Sequence, residues 1–223
     1  MGGSATCTDS WTRHRQRDAR VSAPAPRIAF FPGAAGSPAF WAPVAERLPD
    51  RWEKTLLGWP GAGEQPHDPG VRSFEDLVRR AAGLLDEQTD IVAQSMGCVV
   101  AIGLALRHPE RVRRLVLVAA SGGIDVGALG GVEWRDEYVT AYPQAGRWLS
   151  TERPDYTAEL ARLAAPTLLV SGDADLLSPP AVGQRLRELI PGSSVRVLRG
   201  GTHWMATERP DEVARLIGDH LGL

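Results

Sequence analysis

The sequence predicts an α/β domain: a mostly parallel sheet of about six strands flanked by helices. Three observations carry that prediction. Short apolar runs of strand length alternate with stretches of helical spacing, the pattern of strand–crossover–strand units with right-handed connections. The 223 residues, 43% of them hydrophobic, suffice for one domain with a sizeable core. The run Ile91–Ala93 passes through Gln94-Ser95-Met96-Gly97 into a Pro-free apolar stretch from Cys98 to Leu106, which reads as strand, one tight turn, then helix.

Residues 1–26 hold Arg13, Arg15, Arg17 and Arg20 but no apolar segment. They read as a disordered N-terminal arm before a domain over 27–223, and not as a secretory signal. Ile28–Phe31 is a buried strand ended by Pro32-Gly33. Ser37 or Pro38 opens a helix whose buried face is Phe40, Trp41, Val44, Ala45 and Leu48. Trp52–Leu57 is the second strand, followed by a turn-rich loop from Gly58 to Gly63. Ser73, with Asp76 three positions on, caps a helix over Phe74–Glu87. The strand before Ser95 and the helix after it come next, and His108-Pro109-Glu110 stops that helix. Leu115–Ala119 is a central strand. From Ser121 to Tyr156 periodicity dissolves into Gly and aromatic residues. This segment reads as a lid over the carboxyl ends of the strands, with short helices around Trp134–Tyr142 and Ala145–Leu149. Pro166–Val170 is a strand, Pro180–Ile190 a helix, Val195–Leu198 the last strand and Pro210–Leu221 the last helix. The strand containing Trp52 falls at one edge of the sheet.

The net charge of −2 and the lack of any basic block argue against nucleic-acid binding, and the partner expected is a small-molecule substrate. The basic residues are 24 Arg and one Lys, read here as a coding bias. No run is long enough to span a membrane. Cys7 and Cys98 are not paired by spacing, which predicts reduced thiols and a cytoplasmic setting. Cys98 reads as a small buried hydrophobe.

The chemistry centres on Ser95. A hydroxyl at the tip of a strand–turn–helix stands above the end of a sheet, beside a helix N-terminus, in the geometry of a nucleophile elbow. Ala93 and Gly97, two positions to either side, are small enough for strand and helix to approach. A serine needs a base within hydrogen-bond reach, and the base needs an orienting carboxylate. The chain has five histidines: His14, His67, His108, His203 and His220.

With these features the chain resembles the α/β-hydrolase family from about Arg27 to Leu221. Ala93 departs from that family's pattern, which has Gly there. The possible shortening of the sheet by two initial strands is a second departure. The resemblance implies the order Ser, Asp or Glu, His. The stretch Gly200-Gly201-Thr202-His203-Trp204 is similar to the family's histidine loop and makes His203 the base. Asp173 and Asp175 both follow a strand; the family's Gly-x-x-Asp with a later Pro selects Asp175, and Asp173 is expected to bond its own loop. Asp125 is the alternative acid position. The backbone N–H groups of Met96 and Ala34 are the implied oxyanion donors, the latter in Pro32-Gly33-Ala34-Ala35-Gly36, where the family carries His in place of Pro32. Trp41, Trp134, Trp148 and Trp204 are candidates for the substrate pocket. The resemblance thus implies a cofactor-independent, metal-free serine hydrolase. Its substrate would be an ester, thioester or lactone, cleaved through an acyl-enzyme on Ser95. Alternatives are a lyase or acyltransferase using the same groups, or a non-catalytic ligand-binding homologue. The short lid predicts an open site with weak discrimination on the acyl side.

Overall fold

A computed structural model describes residues 26–85 and 88–222. The expected arm lies, except for Pro26, outside the described residues, as do Cys7, His14 and Glu87. Strand β1 (Arg27–Phe31) leads through a 3-10 turn at Pro38–Trp41 into helix α1 (Ala42–Ala45). Then follow β2 (Glu53–Leu56), α2 (Phe74–Leu84), β3 (Thr89–Gln94), α3 (Met96–Arg107) and β4 (Val112–Val118). The segment expected as a lid contributes α4 (Arg135–Ala141) and α5 (Trp148–Thr151). The chain ends with β5 (Thr167–Gly172), α6 (Pro180–Leu189), β6 (Ser194–Leu198), α7 (Met205–Glu208) and α8 (Pro210–Leu221).

The six strands form one sheet in the order β2-β1-β3-β4-β5-β6, with every pairing parallel. The strand after Trp52 is at the edge, as its position in the chain predicts. Side chains alternate across the sheet and build a core on each face. Phe31, Ile91, Leu115 and Leu169 pack on one side with α2 and α3. Phe30, Val92, Val116 and Val170 pack on the other with α1 and α8. Helix α3 lies against the sheet and is buried from Met96 to Ala105, which explains why its sequence is apolar on all sides.

Two elements differ from expectation. The helix opened by Ser37 is broken into a 3-10 turn and a single α-helical turn. Pro38 and Pro43 each lack the N–H that a continuous ladder would use. Most of the expected face nevertheless survives, with Trp41, Val44, Ala45 and Leu48 buried and Phe40 half-buried. Helix α2 closes at Leu84, short of Glu87. Its start is as read from the sequence, with Ser73 Oγ accepting from the Asp76 N–H at 3.1 Å. No helix among the described residues is long and apolar enough to cross a membrane.

Candidate active site

Ala34, Ser95, Asp175 and His203 follow the carboxyl ends of β1, β3, β5 and β6. Strand β3 delivers Ser95 with φ +52° and ψ −122°, a conformation that side-chain-bearing residues rarely adopt. The turn is held by the Ser95 N–H donating to Val118 O of β4 at 3.0 Å and the Cys98 N–H donating to Ser95 O at 3.0 Å. Gly97 is required by close approach: a Cβ there would lie 2.7 Å from Phe31 O and would also collide with Pro32 O. Ala93 sits in register between Phe31 and Leu117, with no exposed surface.

The loop after β6 brings His203 over this turn. Its Nε2 lies 2.9 Å from Ser95 Oγ, and its Nδ1 lies 2.9 and 3.1 Å from the two carboxylate oxygens of Asp175. Asp175 follows β5 and is buried. Its Oδ1 also accepts from the N–H groups of Leu177 and Ser178, each at 2.9 Å, so the buried carboxylate is well supplied with donors. An ionised carboxylate only accepts, so Nδ1 carries the imidazole proton and the Nε2 lone pair faces the Ser95 hydroxyl. The His203 carbonyl is held by Gln94 Nε2 at 3.2 Å, a contact that connects the residue before Ser95 with the histidine loop. Sequence reading missed Gln94; its only signal was adjacency to Ser95.

Asp173 does not bond its own loop as expected. Its carboxylate accepts from the Gly200 N–H and so pins the histidine loop. Asp125 is exposed and accepts from the Ala128 N–H at 3.0 Å. His108 lies near Glu110 beyond the far end of α3, the His67 ring contacts Gln144 O, and His220 Nε2 bonds Pro166 O. Cys98 is fully buried, which pushes its thiol up and keeps it protonated.

Ala34 is the second residue of a tight turn closed by the Gly36 N–H donating to Gly33 O at 3.0 Å. The Gly33–Ala34 peptide is planar and trans, so the Ala34 N–H points away from the turn's interior. Met96 is the first residue of α3, and its N–H has no partner within that helix. A cavity of about 300 Å³ opens beside these groups, lined by Ala34, Ser95, Tyr138, Tyr142, Leu177 and His203 among others. Trp134 and Trp204 also contribute to its wall.

Trp41 and Trp148 do not line that cavity. The Trp41 indole N–H donates to Phe31 O at 3.0 Å inside the core, and its ring packs 5.5 Å from Phe30. Trp148 packs edge-on against Phe74 at 5.3 Å. Leu177, Phe40 and Glu137 are cavity residues that sequence reading did not single out. Leu177 lies two positions past Asp175, which was the available clue. No cluster of three or more His, Cys, Asp or Glu among the described residues could hold a metal ion.

A family profile described as the alpha/beta hydrolase fold matches residues 26–138. The chain is similar to a pimeloyl-[acyl-carrier protein] methyl ester esterase of Neisseria meningitidis serogroup B / serotype 15 (strain H44/76). The two are 28% identical over 220 residues, covering 78% of this chain and 84% of that one. It is also similar to a 2-hydroxymuconate semialdehyde hydrolase of Pseudomonas putida, 28% identical over 238 residues, covering 85% of this chain and 82% of the other. Among solved structures, a thermophilic esterase from Thermogutta terrifontis shares the fold with a TM-score of 0.75 at 23% identity, covering 88% of this chain and 89% of that one.

Proposed function

We propose, of a chain that belongs to the α/β-hydrolase fold family, that it is a serine hydrolase cleaving a carboxylic ester, thioester or lactone through an acyl-enzyme on Ser95. The chain is an enzyme of that family, and its relatives are named as esterases and hydrolases. The proposal concerns the atom that attacks and the bond that is cut. The observation that carries it is the continuous path from Ser95 Oγ to His203 Nε2 at 2.9 Å and from His203 Nδ1 to Asp175 at 2.9 Å.

In this reading Ser95 Oγ attacks the substrate carbonyl carbon and its proton passes to His203 Nε2. Asp175 holds the tautomer that leaves Nε2 free and stabilises the imidazolium that forms. The carbonyl oxygen becomes an oxyanion and accepts from the Ala34 and Met96 N–H groups, backbone donors of the kind that stabilise such a charge. The C–O or C–S bond then breaks, and the leaving group takes the proton from Nε2. A water gives its proton to Nε2 and attacks the acyl carbon. The acid product departs as Ser95 recovers its proton. Apolar contact with Trp134 and Trp204 supplies ground-state binding, at about 25 cal/mol per Å² buried.

The test is fluorophosphonate labelling followed by a panel of esters, thioesters and lactones. Ser95→Ala loses both labelling and turnover while keeping its fold by circular dichroism. Undiminished labelling of that variant would assign the nucleophile elsewhere.

A further inference from the structure

The loop that carries the Ala34 N–H is held almost entirely by the body of the domain. Pro32 O accepts from the Trp59 indole N–H at 2.7 Å. Gly33 O accepts from the Gly36 N–H, and Gly36 O from the Trp59 N–H, each at 3.0 Å. Ala34 O is different, for it accepts at 2.9 Å from the hydroxyl of Tyr138, which comes from α4 over the cavity. That hydroxyl in turn accepts from the Gly63 N–H at 2.8 Å. One buried oxygen therefore joins three chain segments: the loop after β1, the loop after β2 and the lid.

The bond falls at the tip of the turn. Ala34 and Ala35 are the two central residues of the turn, and the Ala34 carbonyl belongs to the peptide between them. The Ala34 N–H belongs to the preceding peptide, and a tilt of the tip about the turn's ends would swing it away; the bonds at Gly33 and Gly36 hold the ends and do not oppose that tilt. The Tyr138 hydroxyl does, because it holds the Ala34 carbonyl directly. Gly63 lets the second loop come close enough to share that oxygen: it has φ +54°, and a Cβ there would collide with Ala35 O.

We infer that Tyr138 is a positioning residue: its hydroxyl anchors the tip of the Gly33–Gly36 turn and so holds the Ala34 N–H in the position that receives the oxyanion. The inference rests on the oxyanion role proposed above for Ala34. It makes catalytic competence depend on α4 being seated, because the anchor is carried by the lid and not by the sheet.

Tyr138→Phe tests this. The ring keeps its packing against Trp134 and Tyr142, and only the oxygen is lost. The expected result is a fall in kcat of about tenfold, less than the roughly 10²–10³ that follows loss of a direct oxyanion donor. KM should change by less than about twofold, and affinity for a boronic acid that forms a tetrahedral adduct on Ser95 should weaken by the same factor as kcat. Gln144→Leu is the comparison, since Gln144 Nε2 ties the lid to Gly63 O at 3.0 Å without touching Ala34, and it should retain kcat. Unchanged kcat in Tyr138→Phe with a lower melting temperature would overturn the inference and leave Tyr138 as lid packing. An equal kcat loss in Gln144→Leu would overturn it in favour of general lid anchoring. Parallel labelling of Ser95→Ala separates the two levels. If that variant is unlabelled, the serine mechanism stands whatever Tyr138→Phe does; if it is labelled, both fall.

Discussion

Ser95 and Ala119 are the described non-glycine residues with positive φ, at +52° and +47°. They follow the neighbouring strands β3 and β4. Each is held by a strand-to-strand bond, Ser95 N–H to Val118 O at 3.0 Å and Ala119 N–H to Val170 O at 2.8 Å, so the sheet imposes the conformation. Such sparsely populated backbone costs an L-residue about 1–3 kcal/mol, and the advantage this gives glycine is partly offset by its greater freedom in the unfolded chain. Ser95→Gly should therefore melt above Ser95→Ala, although neither should be active; identical melting temperatures would mean that little strain is stored there. The two aspartates of the β5–α6 loop divide more sharply. Asp175→Asn would present an NH₂ to Nδ1 and favour the wrong imidazole tautomer, so kcat should fall by about 10³–10⁴. Asp173→Asn removes charge from a bond to the Gly200 N–H but leaves His203 facing a carboxylate, and should cost no more than about tenfold. Measuring kcat for the pair on one ester decides the assignment, and a larger loss in Asp173→Asn would reverse it.

Helices α5 and α8 show how elements that carry none of the reacting groups still support the site. Trp148 of α5 packs edge-on against Phe74 at 5.3 Å, and Glu152 accepts from the Phe74 N–H at 3.0 Å, so α5 is stapled to the start of α2. Trp148→Ala should lower the melting temperature, in line with the roughly 3–5 kcal/mol typical of such truncations, at unchanged KM. Trp134→Ala should raise KM at nearly unchanged melting temperature. Calorimetry and steady-state kinetics on the two variants check both, and the opposite pattern would exchange their roles. In the last turn of α8, His220 Nε2 donates to Pro166 O at 3.2 Å. Burial holds its pKa below the ordinary value, with Arg114 acting in the same direction and the Pro166 bond and Asp90 opposing. The fold thus prefers neutral His220, while the unfolded chain takes up its proton near pH 6.5. This contribution is complete above that value and is lost as pH falls through it toward the folded pKa. Between about pH 7 and 5 the melting temperature should fall more steeply in the wild type than in His220→Gln, whose amide can still donate to Pro166 O.

The size and setting of the cavities bear on what the enzyme accepts. A cavity of about 300 Å³ is at the lower end of the range that holds drug-sized ligands. A second cavity, of about 430 Å³, shares Ser121, Trp134 and Leu177 with the first. Trp204 and Leu176 are exposed, at 50% and 72%, so apolar surface continues outward around His203 and Leu177. A substrate longer than the first cavity can extend along that surface without meeting a closed wall. Across straight-chain esters from butanoate to decanoate, kcat/KM should vary by less than about tenfold, because added methylenes are neither excluded nor fully buried. A steep optimum at one chain length would indicate a closed acyl pocket.

Strand and helix periodicity, turn chemistry and the strand–turn–helix around Ser95 could be read from neighbouring residues alone, because backbone conformation and side-chain facing are set within a few positions. Helix α8 could be delimited for that reason: Pro210 opens it and Gly222 closes it, with φ +79°. The break of the first helix at Pro43 was equally local and could have been read there. Only the assembled chain decides matters between residues far apart in sequence. Asp173 and Asp175 stand two positions apart on one loop, yet one faces Gly200 and the other His203. Four tryptophans of equal hydropathy divide into Trp134 and Trp204 on the cavity wall and Trp41 and Trp148 in packed interiors. The Tyr138 hydroxyl and the Ala34 carbonyl meet across 104 positions of chain. Nothing near either residue signals that contact, because it is created only when α4 packs against the loop after β1.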